Sequence, residues 1–319
     1  MKSLVTGAAG FIGSTLTDKL LKKGYQVIGV DCFIDYYDRS LKENNLSSFI
    51  DHENFTLIEE NINDLDLKEL LKDVDYVFHQ AAQAGVRSSW GEDFEIYTHN
   101  NVMGTQRLLE AAKESNIKKF VYASSSSVYG DTDKLPMQET NRLQPVSPYG
   151  VSKLAGENLC YLYYKNFNVP TVSLRYFTVF GERQRPDMAF HIFIKAILQD
   201  KKLTIFGDGK QSRNFTHVDD IVKANILAAE SDVKGEIFNI GGDGKRVVLN
   251  EAIDLMEELI GKEANREYQK VVKGDVKHTS ADTSKAKELL GYEPEIEFEE
   301  GLKREVKFLK DLYQSKVCL

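Results

Sequence analysis

Tyr149 and Lys153 stand four residues apart behind a Ser147-Pro148 pair, and this short segment is the one best suited to chemistry. Serine at an N-cap and proline at the first helical position start a helix there. The i,i+4 spacing then puts phenol and ammonium on one helix face. An ammonium beside a phenol favours phenolate, so the pair can take a proton and later return it. Free tyrosine has a pKa of about 10, and bringing it to neutrality takes about 4 kcal/mol of differential stabilisation. Such a pair standing alone is most often a packed ring and a solvated lysine. What lifts it above that background is Tyr122-Ala123-Ser124-Ser125-Ser126-Ser127-Val128-Tyr129-Gly130, a serine run at the end of an apolar stretch upstream. In open α/β sheets ligands bind at the carboxyl ends of such strands. Serines there can form a plain polar loop, but they also arrive where a substrate hydroxyl must be hydrogen-bonded.

A second candidate lies at the start of the chain. Thr6-Gly7-Ala8-Ala9-Gly10-Phe11-Ile12-Gly13 follows an apolar run and opens a helical pattern. Its glycines permit a tight turn and close approach of a pyrophosphate, which would rest on the helix N-terminus. The GxxGxxG spacing differs from GxGxxG, and alone it would equally describe an unliganded turn. Asp31 closes the next apolar run, where a carboxylate can accept from the adenosine ribose hydroxyls and would repel a 2′-phosphate. NAD is therefore expected, with Arg39 and Lys42 read as solvated loop charges. Its oxidised nicotinamide would add a second positive charge beside Tyr149.

These residues need a scaffold that gathers strand ends. Residues 2–6, 26–30, 56–59, 76–79 and 119–124 read as strands, and 12–22, 67–72 and 101–115 as helices between them. Alternation of apolar strands with helices indicates a parallel sheet covered on both faces, a Rossmann-type doubly wound α/β fold. A helix over 148–166 and a buried strand over 171–176 follow. Thereafter shorter strands (203–206, 236–240) mix with helices near 190–198, 219–229 and 250–261 and a charged final helix. The expected division is a dinucleotide domain over 1–176, its sheet completed by later segments, and a smaller mixed α/β substrate lobe over 177–319.

The 319 residues, 42% hydrophobic and 28% charged, suffice for a sizeable core. A net charge of −8 without a basic block excludes a nucleic-acid partner and leaves any anionic substrate to a few local cations. No apolar run is long enough to cross a membrane, and the first strand starts at Lys2, so a cytoplasmic protein is expected. Cys32, Cys160 and Cys318 lack metal or disulfide spacing, and no metal is expected.

With GAAGFIG, SSSSVYG and YGVSK in place, the chain resembles the extended short-chain dehydrogenase/reductase family and, within it, the UDP-sugar 4-epimerases. The resemblance runs along essentially the whole length, through His79-Gln80-Ala81-Ala82-Gln83-Ala84-Gly85-Val86-Arg87, Asn100-Asn101-Val102, Arg175-Tyr176-Phe177-Thr178-Val179-Phe180-Gly181, Arg213-Asn214-Phe215-Thr216-His217-Val218-Asp219-Asp220 and Ala281-Asp282-Thr283-Ser284-Lys285. It implies a catalytic set of Tyr149, Lys153 and Ser125. It implies that Gln80, Ala81, Ala82, Asn100 and Tyr176 line the cofactor, with Asn61 and Ile62 beside adenine where relatives carry Asp-Ile or Asp-Val. Arg213 matches the arginine that holds the diphosphate, Asp275 the acid on the uridine ribose, and Thr204 and Phe206 the strand beside uracil. Relatives often carry a second arginine three residues before that acid, where this chain has Val272, next to Lys273. Arg87, Ser126, Thr178, Arg185, Ala189 and Thr279 complete the expected sugar contacts. The implied reaction is hydride transfer from C4 to a retained NAD while Tyr149 removes the 4-OH proton, rotation of the 4-keto sugar, and return of hydride to its other face.

Related activities are weighed by residue. Sugar-nucleotide 4,6-dehydratases carry Thr-Asp-Glu where this chain has Ser125-Ser126-Ser127, so the acid/base pair that eliminates water is missing. UDP-glucuronate decarboxylation begins with the same 4-oxidation and stays open, whereas a non-catalytic NAD sensor would be expected to lose Tyr149 and Lys153. The stretch 181–189 with Thr178 resembles UDP-glucuronate 4-epimerases, in which an arginine at position 185 can meet the C6 carboxylate; contact of Arg185 with phosphate alone is the other reading. Thr279 replaces the bulky ring of relatives limited to plain hexoses and predicts room for a 2-acetamido group. UDP-GlcNAc/UDP-GalNAc and UDP-glucuronate/UDP-galacturonate thus stand together, with UDP-glucose/galactose behind. Apolar faces on the 101–115 and 148–166 helices, including Leu159, Leu162 and Tyr163, suggest the helix-bundle homodimer of similar enzymes.

Overall fold

The computed structural model describes residues 1–270 and 276–315. Short, almost wholly buried runs build its centre: β1 (Lys2–Thr6), β2 (Gln26–Val30), β3 (Phe55–Ile58), β4 (Tyr76–His79), β5 (Lys119–Ser125) and β6 (Thr171–Tyr176). The later strands are β7 (Val179–Phe180), β8 (Lys202–Phe206), β9 (Ser212–Arg213), β10 (Thr216–His217), β11 (Glu236–Ile240), β12 (Val247–Val248) and β13 (Asn265–Gln269). Seven strands form one sheet in the order β11-β6-β5-β4-β1-β2-β3, every neighbouring pair parallel. The chain runs outward from β1 to β3 and then crosses back to β4, so the order reverses between β1 and β4, where doubly wound sheets open a crevice.

Helices cover both faces. They are α1 (Phe11–Lys22), α2 (Arg39–Leu46), α3 (Leu67–Leu70), α4 (Phe94–Tyr97), α5 (Gly104–Ala112), α6 (Pro148–Phe167), α7 (Ala189–Leu198), α8 (Val218–Glu230), α9 (Leu249–Ile260), α10 (Ser284–Leu290) and α11 (Phe298–Ser315). On one sheet face Phe11, Leu16 and Leu20 of α1 join Ile221 and Ala224 of α8 over Val5, Phe78 and Val121. On the other, Leu108 and Leu109 of α5 and Cys160 and Tyr163 of α6 pack on Leu4, Val77 and Phe120. A separate core holds the later elements together: Phe190, Ile194 and Ile197 of α7, Leu203 and Ile205 of β8, Ile253 and Met256 of α9, and Leu302 and Leu309 of α11. The strand β11 leaves that region and adds to the main sheet beside β6.

Two stretches differ from the sequence expectation. The helix expected over 101–115 is instead α4, a wide π-turn over Thr98–Met103, and α5. Such turns insert a residue into the helical ladder and recur at functional sites. The loop after β2 folds into α2, capped by Asp38, whose carboxylate accepts from Ser40 N at 2.8 Å. Of the three residues offered as surplus apolar surface, Leu159 and Tyr163 pack into the chain's own core. The Tyr163 hydroxyl donates to Glu110 at 2.6 Å, and only Leu162 stands exposed.

Candidate active site

Ser147 caps α6, its Oγ accepting from Gly150 N at 3.1 Å, and Pro148 occupies the first turn, so Tyr149 and Lys153 project from a fixed helix start. Three ties hold that start against the sheet. Asn101, in the π-turn, donates to Ser152 Oγ at 2.9 Å and exchanges two hydrogen bonds with the Gln83 backbone. Two turns further on, Glu157 accepts both Arg175 Nε and Nη2 at 2.8 Å, and also the Ser124 hydroxyl. Arg175 Nη1 completes the network on the Tyr129 hydroxyl at 2.8 Å. Lastly, the Tyr122 hydroxyl donates to the Lys153 carbonyl at 3.3 Å. Both members of the Arg175–Glu157 pair are buried, so each depends on the other for compensation.

Burial pushes the Lys153 ammonium down to about 8, against the pull of Cys160 and Glu157, and its Nζ lies 4.9 Å from the Tyr122 ring centre. Burial likewise pushes the Tyr149 phenol up, while Arg185 and the Ser125 hydroxyl pull it down. Arg185 is thus a cation near Tyr149 whose influence on the phenol the sequence reading did not assign. Desolvation penalises the charged form of both helix residues, and the i,i+4 geometry alone does not overcome it. Tyr97 stacks edge-on against Tyr149 with centroids 6.3 Å apart, its own hydroxyl anchored on the Ala84 and Gly85 carbonyls at 2.8 Å.

Tyr149, Lys153 and Arg185 line one end of a cleft above the carboxyl ends of the strands. The turn after β1 contributes Gly7, Gly10, Phe11, Ile12 and Gly13 to its lining. Asp31 after β2, Asn61 and Ile62 after β3, and Gln80, Ala81 and Ala82 after β4 also line it, with Asn100 and Tyr176. Gly7 adopts φ +70°, and a Cβ on Gly13 would fall 2.0 Å from the Gly7 carbonyl oxygen, so both positions require glycine. Gly10 is the N-cap of α1, with no side chain capping it and no acid in the first turn. Open backbone donors at a helix start beside close-approach glycines fit a pyrophosphate. At the switch point Thr6 Oγ1 bonds His79 at 2.8 Å and accepts from Ala81 N at 3.1 Å. Tyr176 and Gln80 are locked by Asn225 of α8, through bonds of 2.8–3.1 Å.

Asp31 corrects one sequence reading. Its Oδ1 takes Lys42 Nζ at 3.1 Å and Phe33 N at 2.9 Å, and its Oδ2 takes Ala9 N at 3.1 Å. Lys42 is thus no solvated loop charge; α2 carries it inward to 6% side-chain exposure, over the Phe33 and Tyr37 rings. Arg39 does stay at the surface, in a two-pronged pair with Glu59. Sequence reasoning also missed Asn101, Glu157, Asn225, Tyr36 and Tyr37. Of these only Asn101 carried a local signal, the adjacent asparagines; Asn225 reaches the site from a distant helix.

The remaining sugar-side residues lie outside this cleft lining. Ser125 Oγ faces Ser127, accepting its backbone N–H and bonding its hydroxyl at 3.1 Å, and Ser126 starts the following turn. Thr178 gives its carbonyl to Thr216 N at 3.1 Å, and Ala189 is the exposed first residue of α7. Thr204 and Phe206 sit on β8, with the Arg87 guanidinium 4.5 Å from the Phe206 ring centre. Arg213 turns toward the backbone, donating to the Ser212, Val276 and Lys277 carbonyls. Thr279 is buried, and its hydroxyl has no hydrogen-bond partner among the described residues. Asp275, Val272, Lys273 and Cys318 lie outside the described residues. Among the described residues no group of histidine, cysteine or acidic side chains could hold a metal, and no helix is long and apolar enough to cross a membrane.

A reversed-order parallel sheet, a glycine turn at its switch point and a helix-borne Tyr-Lys pair define an enzyme of the extended short-chain dehydrogenase type. The model of the NAD dependent epimerase/dehydratase family matches residues 3–241, and the chain belongs to that family. It is 49% identical to the uncharacterized UDP-glucose epimerase YtcB of Bacillus subtilis, over 99% of this chain and 100% of that one. It is 44% identical to a UDP-glucuronate 4-epimerase of Thermodesulfobacterium geofontis, over 97% and 96%. The structure is also similar to that of a Bacillus cereus UDP-glucuronic acid 4-epimerase in complex with UDP-glucuronic acid and NAD. That match has a TM-score of 0.95 at 49% identity and covers 98% of this chain and 100% of that one.

Proposed function

We propose that this chain is an NAD-dependent UDP-sugar 4-epimerase, an isomerase, whose substrates are UDP-glucuronate and UDP-galacturonate. The carrying observation is the meeting of Tyr149, Lys153 and Arg185 at one end of the cleft that begins on the glycine turn. The dinucleotide domain over 1–176 would hold NAD, with its diphosphate on Gly10 to Gly13 and its ribose hydroxyls on Asp31 and Lys153. When bound, NAD supplies a hydride acceptor at C4 that can also return the hydride. Tyr149 takes the 4-OH proton and gives it back to the 4-keto sugar after rotation, while Ser125 orients that oxygen. Arg185 favours the phenolate form of Tyr149 and faces the C6 carboxylate. The lobe over 177–319 would hold the UDP group through Arg213, Thr204, Phe206 and Asp275.

The acidic chain needs local cations for such a ligand, and Arg185 provides one beside the reacting carbon. A UDP-glucuronate 4-epimerase among both the relatives and the solved structures supports the acidic sugar. The enzyme is proposed to work in the cytoplasm as a homodimer. Exposed Val151 and Leu162 on α6, with Met103, Ile96 and Trp90 nearby in the chain path, supply the apolar surface for a second copy. Substituting Tyr149→Phe tests the chemistry: kcat should fall about a thousandfold on every UDP-sugar with KM little changed. Unchanged turnover would remove Tyr149 from the mechanism.

A further inference from the structure

Arg185 reaches the cleft beside Tyr149, yet it is not a bare cation. Asp187, two residues on in the same loop, holds it side-on, with Nε to Oδ1 at 2.9 Å and Nη2 to Oδ2 at 3.1 Å. The pair is not core packing, since the side chains keep 23% and 31% of their surface open. Asp187 Oδ2 also accepts the hydroxyl of Tyr36 at 3.2 Å, and Tyr36 itself lines the cleft. The loops after β2 and before α7 therefore meet on one carboxylate.

A guanidinium in two-pronged contact with a carboxylate offers a ligand its second edge but little net charge. The acids that line the cleft elsewhere, Asp31 and Glu60, follow β2 and β3. Asp31 is already paired with Lys42. An acidic sugar arriving at Tyr149 would thus meet an arginine that already has an anion.

We propose that Asp187 sets the sugar selectivity of the site, acting as an internal carboxylate on Arg185 with which an acidic UDP-sugar must compete. Its charge holds down the preference for UDP-glucuronate and leaves neutral UDP-sugars within reach of the same site. The inference rests on the reading above that UDP-sugars bind with C4 at Tyr149.

Asp187→Asn separates charge from position, because the amide keeps an acceptor for Arg185 and a partner for Tyr36. Steady-state rates with UDP-glucuronate and UDP-glucose should show KM for the acidic sugar falling at least about fivefold in this variant. KM for UDP-glucose should stay within about twofold. Asp187→Ala, which also frees Arg185 to move, should shift in the same direction but less. If KM for UDP-glucuronate stays or rises in Asp187→Asn, or both sugars shift together, Asp187 merely positions Arg185 and the proposal fails. A wild-type enzyme that turns over neither sugar overturns the functional reading and this inference with it. Wild-type turnover with unaltered selectivity in Asp187→Asn overturns the inference alone.

Discussion

The two ends of the cleft are built by different means. At the dinucleotide end the contacts come from backbone and from buried side chains already bonded to one another: the Gly7 to Gly13 turn, the Thr6–His79 pair, and Gln80 locked by Asn225 and Tyr176. At the Tyr149 end the charged group is partly open and leans on a local partner, Arg185 on Asp187. On the proposed function, a retained cofactor would be served by a surface of groups already bonded to one another. On the same proposal, sugars that differ at C2 and C6 would be sorted by side chains that can exchange one partner for another.

That contrast predicts where substitutions should hurt. The largest loss is expected for Glu157→Ala, which leaves Arg175 buried without its partner. About 3–5 kcal/mol of stability should go, read from the denaturant midpoint, and a loss under about 1 kcal/mol would mean that water reaches the pair. Gly13→Ala comes next. Its Cβ would overlap the Gly7 carbonyl, and about 3 kcal/mol of strain should weaken NAD binding roughly a hundredfold in a fluorescence titration. Undiminished affinity would show the turn to be pliable. The smallest effect is expected at the sugar end. Thr279→Tyr should cut turnover of UDP-GlcNAc about tenfold relative to UDP-glucuronate, whereas equal loss on both would make Thr279 a packing residue and no gate.

Elements set by short-range rules were legible from the residues. The strands of the sheet, the glycine turn and the Ser147-Pro148 helix start all follow from patterns a few residues long, and each stands where the pattern put it. Features set by tertiary packing were not legible. The π-turn that places Asn101 against Ser152, the inward course of Lys42 on α2, and the reach of Asn225 from α8 depend on neighbours far away in the chain. The same cause misdirected the surface reading of Tyr163, whose hydroxyl is satisfied by Glu110 on the adjoining helix. It also brings Arg185, 36 residues further along, to bear on Tyr149. Sugar-side residues such as Arg213 and Thr279 carry no local signature at all. Only likeness to a family with known ligands drew attention to them.

The central claim is reversible inversion at C4 through Tyr149 and a retained NAD. Purified protein incubated with UDP-glucuronate, first without added cofactor and then with NAD, and followed by proton NMR tests it most directly. Conversion to UDP-galacturonate, with the hexuronate skeleton intact and no cofactor consumed, is the predicted result. A UDP-pentose formed with loss of carbon dioxide, or an unchanged sugar in the presence of NAD, would contradict it.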